Sequence, residues 1–220
     1  MADSMGSRRS AVNGAWDRLR PFAQPGWQGM GKSRLEAFSD GVIAVIITII
    51  VLEFKVPQDT DLASLLGLAP TFFSYVLSFV FVAIYWNNHH HMLHTVQKVN
   101  GAMLWANLHL LFWLSLVPFA TAWMAEHHFA TWPTVVYGVL LLMAALAFTL
   151  LQATVIRLHG RHSTLATAVG RDVKGKISIL CYVAAIGAAF WETWVSLALY
   201  ILVACIWFVP DRRIERVVSE

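Results

Sequence analysis

Arg34, Glu36, Ser39 and Asp40 stand at the mouth of a segment that, from Gly41 to Leu52, holds only Gly, Val, Ile, Ala, Thr and Leu. A carboxylate in the middle of a bilayer costs about 2.5–3.5 kcal/mol, and less towards the interface, so Asp40 needs a partner. Ser39 or Asp40 can cap the helix and meet its dipole. Asp40 can equally pair with Arg34 or with a histidine on a neighbouring helix, and a capping carboxylate keeps lone pairs for both. Gly41, Val45, Thr48 and Leu52 follow at spacings that put them on one helical stripe. One hydroxyl on an otherwise apolar stripe reads as helix packing. It reads equally as a hydrophobic constriction, which excludes water and switches with a small change of radius.

A second group of chemically capable residues is Trp86-Asn87-Asn88-His89-His90-His91-Met92-Leu93-His94. His90 and His94 have the i, i+4 spacing that can hold a metal on a helix, or they form a wet interfacial cluster. Asn107 and His109 lie in an apolar run, where they must face protein, paired with each other or with the first helix. Two rival functions use these residues. One is a membrane metallo- or haem enzyme built on His89, His90, His94 and His109; the other is a proton-coupled transporter using Asp40 and the histidines. Against the enzyme stands the single candidate histidine box, and we assign no catalytic residue, metal ligand or cofactor. No Thr-Val-Gly-Tyr-Gly filter, arginine ladder or glycine-rich phosphate loop occurs either; Val136-Tyr137-Gly138 sits inside an unbroken apolar run.

The elements that must position these residues are membrane helices. The 220 residues are 58% hydrophobic and 13% charged, with a mean hydropathy of +0.60, and the long apolar runs carry almost no charge. That balance describes an all-α integral membrane protein whose surroundings are the lipid bilayer, not nucleic acid. Cys181 and Cys205 lie in apolar runs and read as small core residues. Six crossings are expected, at about 37–55, 66–87, 101–124, 132–156, 176–190 and 194–210. Pro118 is placed to kink the third. The fourth, opening on Trp132-Pro133, is the most uniformly apolar and the one expected to face lipid most. The last two form a hairpin about Trp191-Glu192-Thr193, where Ala184, Ala185, Gly187, Ala188 and Ala189 permit close approach. Residues 1–33 read as a flexible basic tail, 34–210 as the six-helix domain and 211–220 as a second tail. Of the 16 Lys and Arg, all but Lys55 fall before the first crossing, after the last, or at the second-to-third and fourth-to-fifth connections. By the positive-inside rule both termini are cytoplasmic, in the plasma membrane.

The run Arg34-Leu35-Glu36-Ala37-Phe38-Ser39-Asp40-Gly41, with a helix closing on Val51-Leu52-Glu53, resembles the bacterial members of the TMEM175 family. Tyr85-Trp86-Asn87-Asn88-His89 and the Asn107…Pro118 helix extend the resemblance to roughly residues 32–125. It implies a potassium-permeable cation channel, modestly selective over sodium, made of four identical six-helix subunits around a pore lined by the first helix. Carried onto this sequence, Val45, Thr48 and Leu52 are successive constriction layers, with Thr48 offering hydroxyls to a partly dehydrated potassium ion. Arg34, the Phe38-Ser39-Asp40 signature and His89 form a bracing network at the cytoplasmic end. The family's first collar is usually Ile or Leu. Val45 is smaller, which widens that ring and makes Ile49 a further candidate.

Overall fold

The computed structural model describes residues 31–57, 59–160, 163–170 and 172–208. The expected tails, except for residues 31–33 of the first, lie outside the described residues, as do Arg161 and Arg171. The described chain is helical throughout: α1 (Lys32–Leu52), α2 (Leu62–Leu66), α3 (Ala69–His94), α4 (Gly101–Ser115), α5 (Val117–Glu126), α6 (Thr131–His159), α7 (Thr164–Val169), α8 (Val173–Ala188) and α9 (Thr193–Phe208). Among the described residues, four stretches are long and apolar enough to cross a bilayer: α1, α3, α4 continuing into α5, and α6. The 21 residues of α1 rise about 32 Å, close to the thickness of a hydrocarbon core. Helices α8 and α9 are 16 residues each.

Helix α1 starts five residues before the expected crossing at 37, because Ser33 to Glu36 are compatible with a helix and Leu35 has a buried site to fill. Ser39 and Asp40 therefore sit about two turns inside the helix, and neither caps it. Helix α3 likewise continues through the histidines to His94. Pro118 does more than kink the third span. It divides α4 from α5 at Leu116, as a residue without an N–H forces.

Two packed clusters hold the bundle. Ile43, Ile46 and Ile50 of α1 meet Val82 and Tyr85 of α3, Leu110 and Leu114 of α4, and Ala144, Ala147 and Leu151 of α6. Leu77 and Phe81 of α3, Met124 of α5, Tyr137 and Leu141 of α6, Tyr182 and Ala185 of α8 and Tyr200 of α9 form the other. In lipid, close packing rather than removal from water draws helices together, so small residues matter where backbones approach. Ala144, Ala147 and Ala185 are fully buried, and a Cβ on Gly138 would fall 2.0 Å from the Tyr200 hydroxyl. Tyr200 keeps that position by donating to the Thr134 carbonyl at 3.1 Å. In the small-residue patch, Ala185 and Ala189 are buried, whereas Ala184 and Gly187 face outward. Of the four long spans it is α1, not α6, that the chain covers least.

Candidate functional site

The sparse covering of α1 is divided sharply between its two faces. Leu35, Ser39, Ile43, Ile46 and Ile50 are buried against the rest of the chain. Arg34, Phe38, Gly41, Val45, Thr48 and Leu52, spaced alternately four and three residues apart, form one continuous exposed stripe. Phe38 is 51% exposed, Val45 55% and Leu52 77%. The Thr48 hydroxyl donates to the Val45 carbonyl at 2.9 Å, which leaves its lone pairs directed away from the helix. Ile49 is also exposed, but about 100° round the helix from Thr48. There it lines a groove of about 540 Å³ with Glu53, Pro118, Phe119, Trp123 and Glu126. At that end Lys55 donates to Glu126, whose hydrogen bond and charge raise the Lys55 pKa.

The buried face is fastened by polar contacts. Ser39 donates to the Leu35 carbonyl at 2.9 Å and accepts from Asn107 Nδ2 at 2.9 Å. Asn107 Oδ1 lies 2.7 Å from His89 Nε2. The carbonyl oxygen can only accept, so that imidazole nitrogen carries the proton. All three side chains are buried, and together they tie α1, α4 and α3 into one network. One residue beyond Ser39, Asp40 Oδ1 accepts from Trp86 Nε1 at 2.9 Å, a second link between α1 and α3.

Of the residues proposed to brace this helix, Ser39 and His89 are thus joined through Asn107, and Asp40 is held by Trp86. Arg34 and Phe38 are exposed, and Arg34 makes no hydrogen bond or ion pair among the described residues. Lys32 is the cation engaged at this end, donating to the His94 carbonyl at 3.0 Å and lying 3.7 Å from Glu36. The neighbouring histidines divide by environment. His89 is buried, while His90 stacks on Trp86 and meets His94, its ring centroid 4.8 Å away. His109 accepts from Trp113 on its own helix at 2.8 Å, so it is not the partner of Asn107. No group of three or more His, Cys, Asp or Glu among the described residues is arranged to hold a metal. Sequence reasoning flagged Asn107 as needing a protein partner but did not place it in the site. Trp86 it read only as part of a motif, although a tryptophan N–H about one turn from a run of helical histidines is a visible donor.

The sequence matches the family described as the endosomal/lysosomal potassium channel TMEM175 over residues 34–118, a segment that contains the whole of this network. It is also 52% identical over 191 residues to a potassium channel of Chryseobacterium sp. (strain P1-3), covering 87% of this chain and 100% of that one. The chain belongs to the TMEM175 family. A potassium channel of Streptomyces collinus is 33% identical over 185 residues, covering 78% of this chain and 88% of its own. The crystal structure of a lysosomal potassium-selective TMEM175 homolog from Chamaesiphon minutus superposes with a TM-score of 0.72 at 29% identity. It covers 82% of this chain and 97% of that one. The TMEM175 match ends at residue 118, early in α5, so the chain beyond it is related to the family through these longer comparisons.

Proposed function

We propose that the chain is the subunit of a potassium-permeable cation channel and that four copies place their α1 helices around a common axis. The observation that carries this reading is the bare stripe from Arg34 to Leu52, set opposite a face of the same helix that is fixed by buried hydrogen bonds. Lipid is a poor cover for that stripe. It begins with a guanidinium and contains Gly41 and the Thr48 hydroxyl, whereas the other outward surfaces carry Phe72, Leu146, Leu150, Leu180 and Val183. Charged groups, and hydroxyl oxygens whose lone pairs are unused, belong at water-filled or protein surfaces in a membrane.

Around a fourfold axis, Val45 and Leu52 give apolar collars and Thr48 a ring of hydroxyl oxygens between them. A potassium ion shedding part of its water meets acceptors at the Thr48 level, and the collars set the radius at which the passage dewets. Ile49, turned towards the α5 groove, is a wall residue in this arrangement rather than a collar. Helices α8 and α9 complete six crossings. At about 24 Å each they are short for the bilayer, a mismatch that local thinning absorbs. Six crossings put both chain ends on the lysine- and arginine-rich side, the cytoplasm, and the Glu192 turn outside. The metallo- or haem-enzyme reading gains nothing from His89 and His109, whose polar contacts are Asn107 and Trp113.

The test is potassium flux from liposomes loaded with the purified protein, together with the mass of the assembly in lipid. Passive potassium efflux from a tetramer supports the reading. Flux that saturates and follows an imposed proton gradient, or a monomer that conducts nothing, overturns it.

A further inference from the structure

We propose that His159 is an acid-released clasp joining the end of α6 to the α3–α4 turn. The Gln97 and Lys98 backbone N–H groups point at His159 Nε2, at 3.0 and 3.2 Å, and His159 Nδ1 lies 3.0 Å from the Val155 carbonyl one turn back. Backbone amides can only donate, so Nε2 presents its lone pair and the proton resides on Nδ1, donating to Val155. The contacts therefore select one neutral tautomer of the imidazole. The chain is led out of this position by Gly160, whose φ of 90° is open to glycine and strained for other residues.

A proton added at Nε2 converts the shared acceptor into a donor that faces two donors, and both bonds to the turn are lost. The charged surroundings do not compensate. Lys98 on the turn and Arg157 on the same helix are cationic and exposed, and α7 carries no charged residue. Asp172, at the start of α8, is engaged on the Gly175 amide at 3.1 Å, and Glu36 lies beside Lys32. No carboxylate among the described residues lies within ion-pair distance of His159. The end of a helix attracts an imidazolium, but the two amides offer no acceptor to a proton on Nε2.

The turn connects the two helices that grip α1, since α3 carries Trp86 and His89 and α4 carries Asn107. Its last residue, Asn100, also caps α4 by accepting from the Met103 amide at 2.9 Å. Acid release of the clasp frees residues 95–100 first and slackens the hold on α1 second. The proposal rests on contacts within one chain and does not depend on the channel reading.

Hydrogen–deuterium exchange of the full chain in lipid nanodiscs tests it, comparing pH 7.5 with 5.5 after correction for the intrinsic pH dependence of exchange. Protection of peptides spanning 95–100 should fall about tenfold at the lower pH, as expected for the loss of two hydrogen bonds, while residues 140–150 keep theirs. His159→Gln, which stays neutral, should abolish the acid response of the turn, and His94→Gln, one residue before the turn, should leave it intact. Protection that ignores pH in the unaltered chain overturns the clasp. A response that survives His159→Gln, or that disappears in His94→Gln, overturns it as well.

Discussion

Ser39 and Asn107, 68 residues apart in the chain, meet at 2.9 Å with both side chains closed to solvent. Asn107 uses its amide at both ends, giving a proton to Ser39 and taking one from His89. A carboxamide employed this way fixes distance and rotation together, so α1 is held at one azimuth as well as at one place. The stripe from Arg34 to Leu52 is outward because its opposite is pinned.

Asn107→Leu leaves the His89 N–H without an acceptor in an apolar site and removes the bond that Ser39 accepts, while the Ser39 hydroxyl keeps its own bond to the Leu35 carbonyl. Each buried group left unsatisfied costs about 1–3 kcal/mol, whereas interhelical hydrogen bonds in membranes average nearer 0.6 kcal/mol because alternative partners exist. The deep burial of all three residues favours the larger figure. The variant should unfold at lower temperature or denaturant, and it should be no worse when combined with His89→Leu, since the two act through one network. Additive losses in the double-mutant cycle would separate them.

The division between what the sequence disclosed and what it hid has a physical basis. Arg34-to-Asp40 ahead of a charge-free run marked α1, and the spacing of Gly41, Val45, Thr48 and Leu52 put them on one stripe, though packing and an open face read alike from spacing alone. Periodicity is a property of one helix, so both were readable without a neighbour. The helix start was misplaced because Ser33-Arg34-Leu35-Glu36 is polar enough to read as a loop, and only the pocket that takes Leu35 draws it into α1. Partner choice was hidden for the same reason. Asn107 had to find a mate, but nothing local distinguishes Ser39 or His89 from His109, and the choice is made by how α3 and α4 pack. Arg34, expected in the bracing network, instead lies on the exposed stripe with Phe38.

Asp40 and Trp86 form a separable link. Asp40→Asn retains a side-chain oxygen that can accept from Trp86 and should keep most of the stability, whereas Asp40→Ala and Trp86→Phe each delete the bond. The indole fluorescence of Trp86, read as the difference from Trp86→Phe, should shift in the alanine variant and stay near its starting value in the asparagine variant. A shift of equal size in both would show that charge, not the hydrogen bond, matters here.

Thr48 is the position where selectivity should respond to chemistry rather than size. Thr48→Ser keeps an acceptor oxygen and should preserve the potassium-to-sodium permeability ratio. Thr48→Val keeps the shape, removes the oxygen and should change the ratio by several-fold. Bi-ionic reversal potentials measure this directly, and an unchanged ratio in the valine variant would remove Thr48 from selectivity.

Gly138 tests the packing that supports the site from the far side of the bundle. A methyl group there would lie 2.0 Å from the Tyr200 hydroxyl, 2.9 Å from its ring carbon Cζ and 3.0 Å from Ile186 Cγ1. Tyr200 is fully buried and anchored on Thr134, so it cannot simply swing away. Gly138→Ala should destabilise the protein by about 1–3 kcal/mol, the usual range for overpacking. Adding Tyr200→Phe removes the atom in closest conflict at the expense of the bond to Thr134. The double variant should therefore be more stable than Gly138→Ala alone, yet remain below the unaltered protein because the ring carbon and Ile186 are still crowded. Thermal unfolding of the four proteins in one detergent decides the matter, and a double variant less stable than Gly138→Ala would place the strain elsewhere.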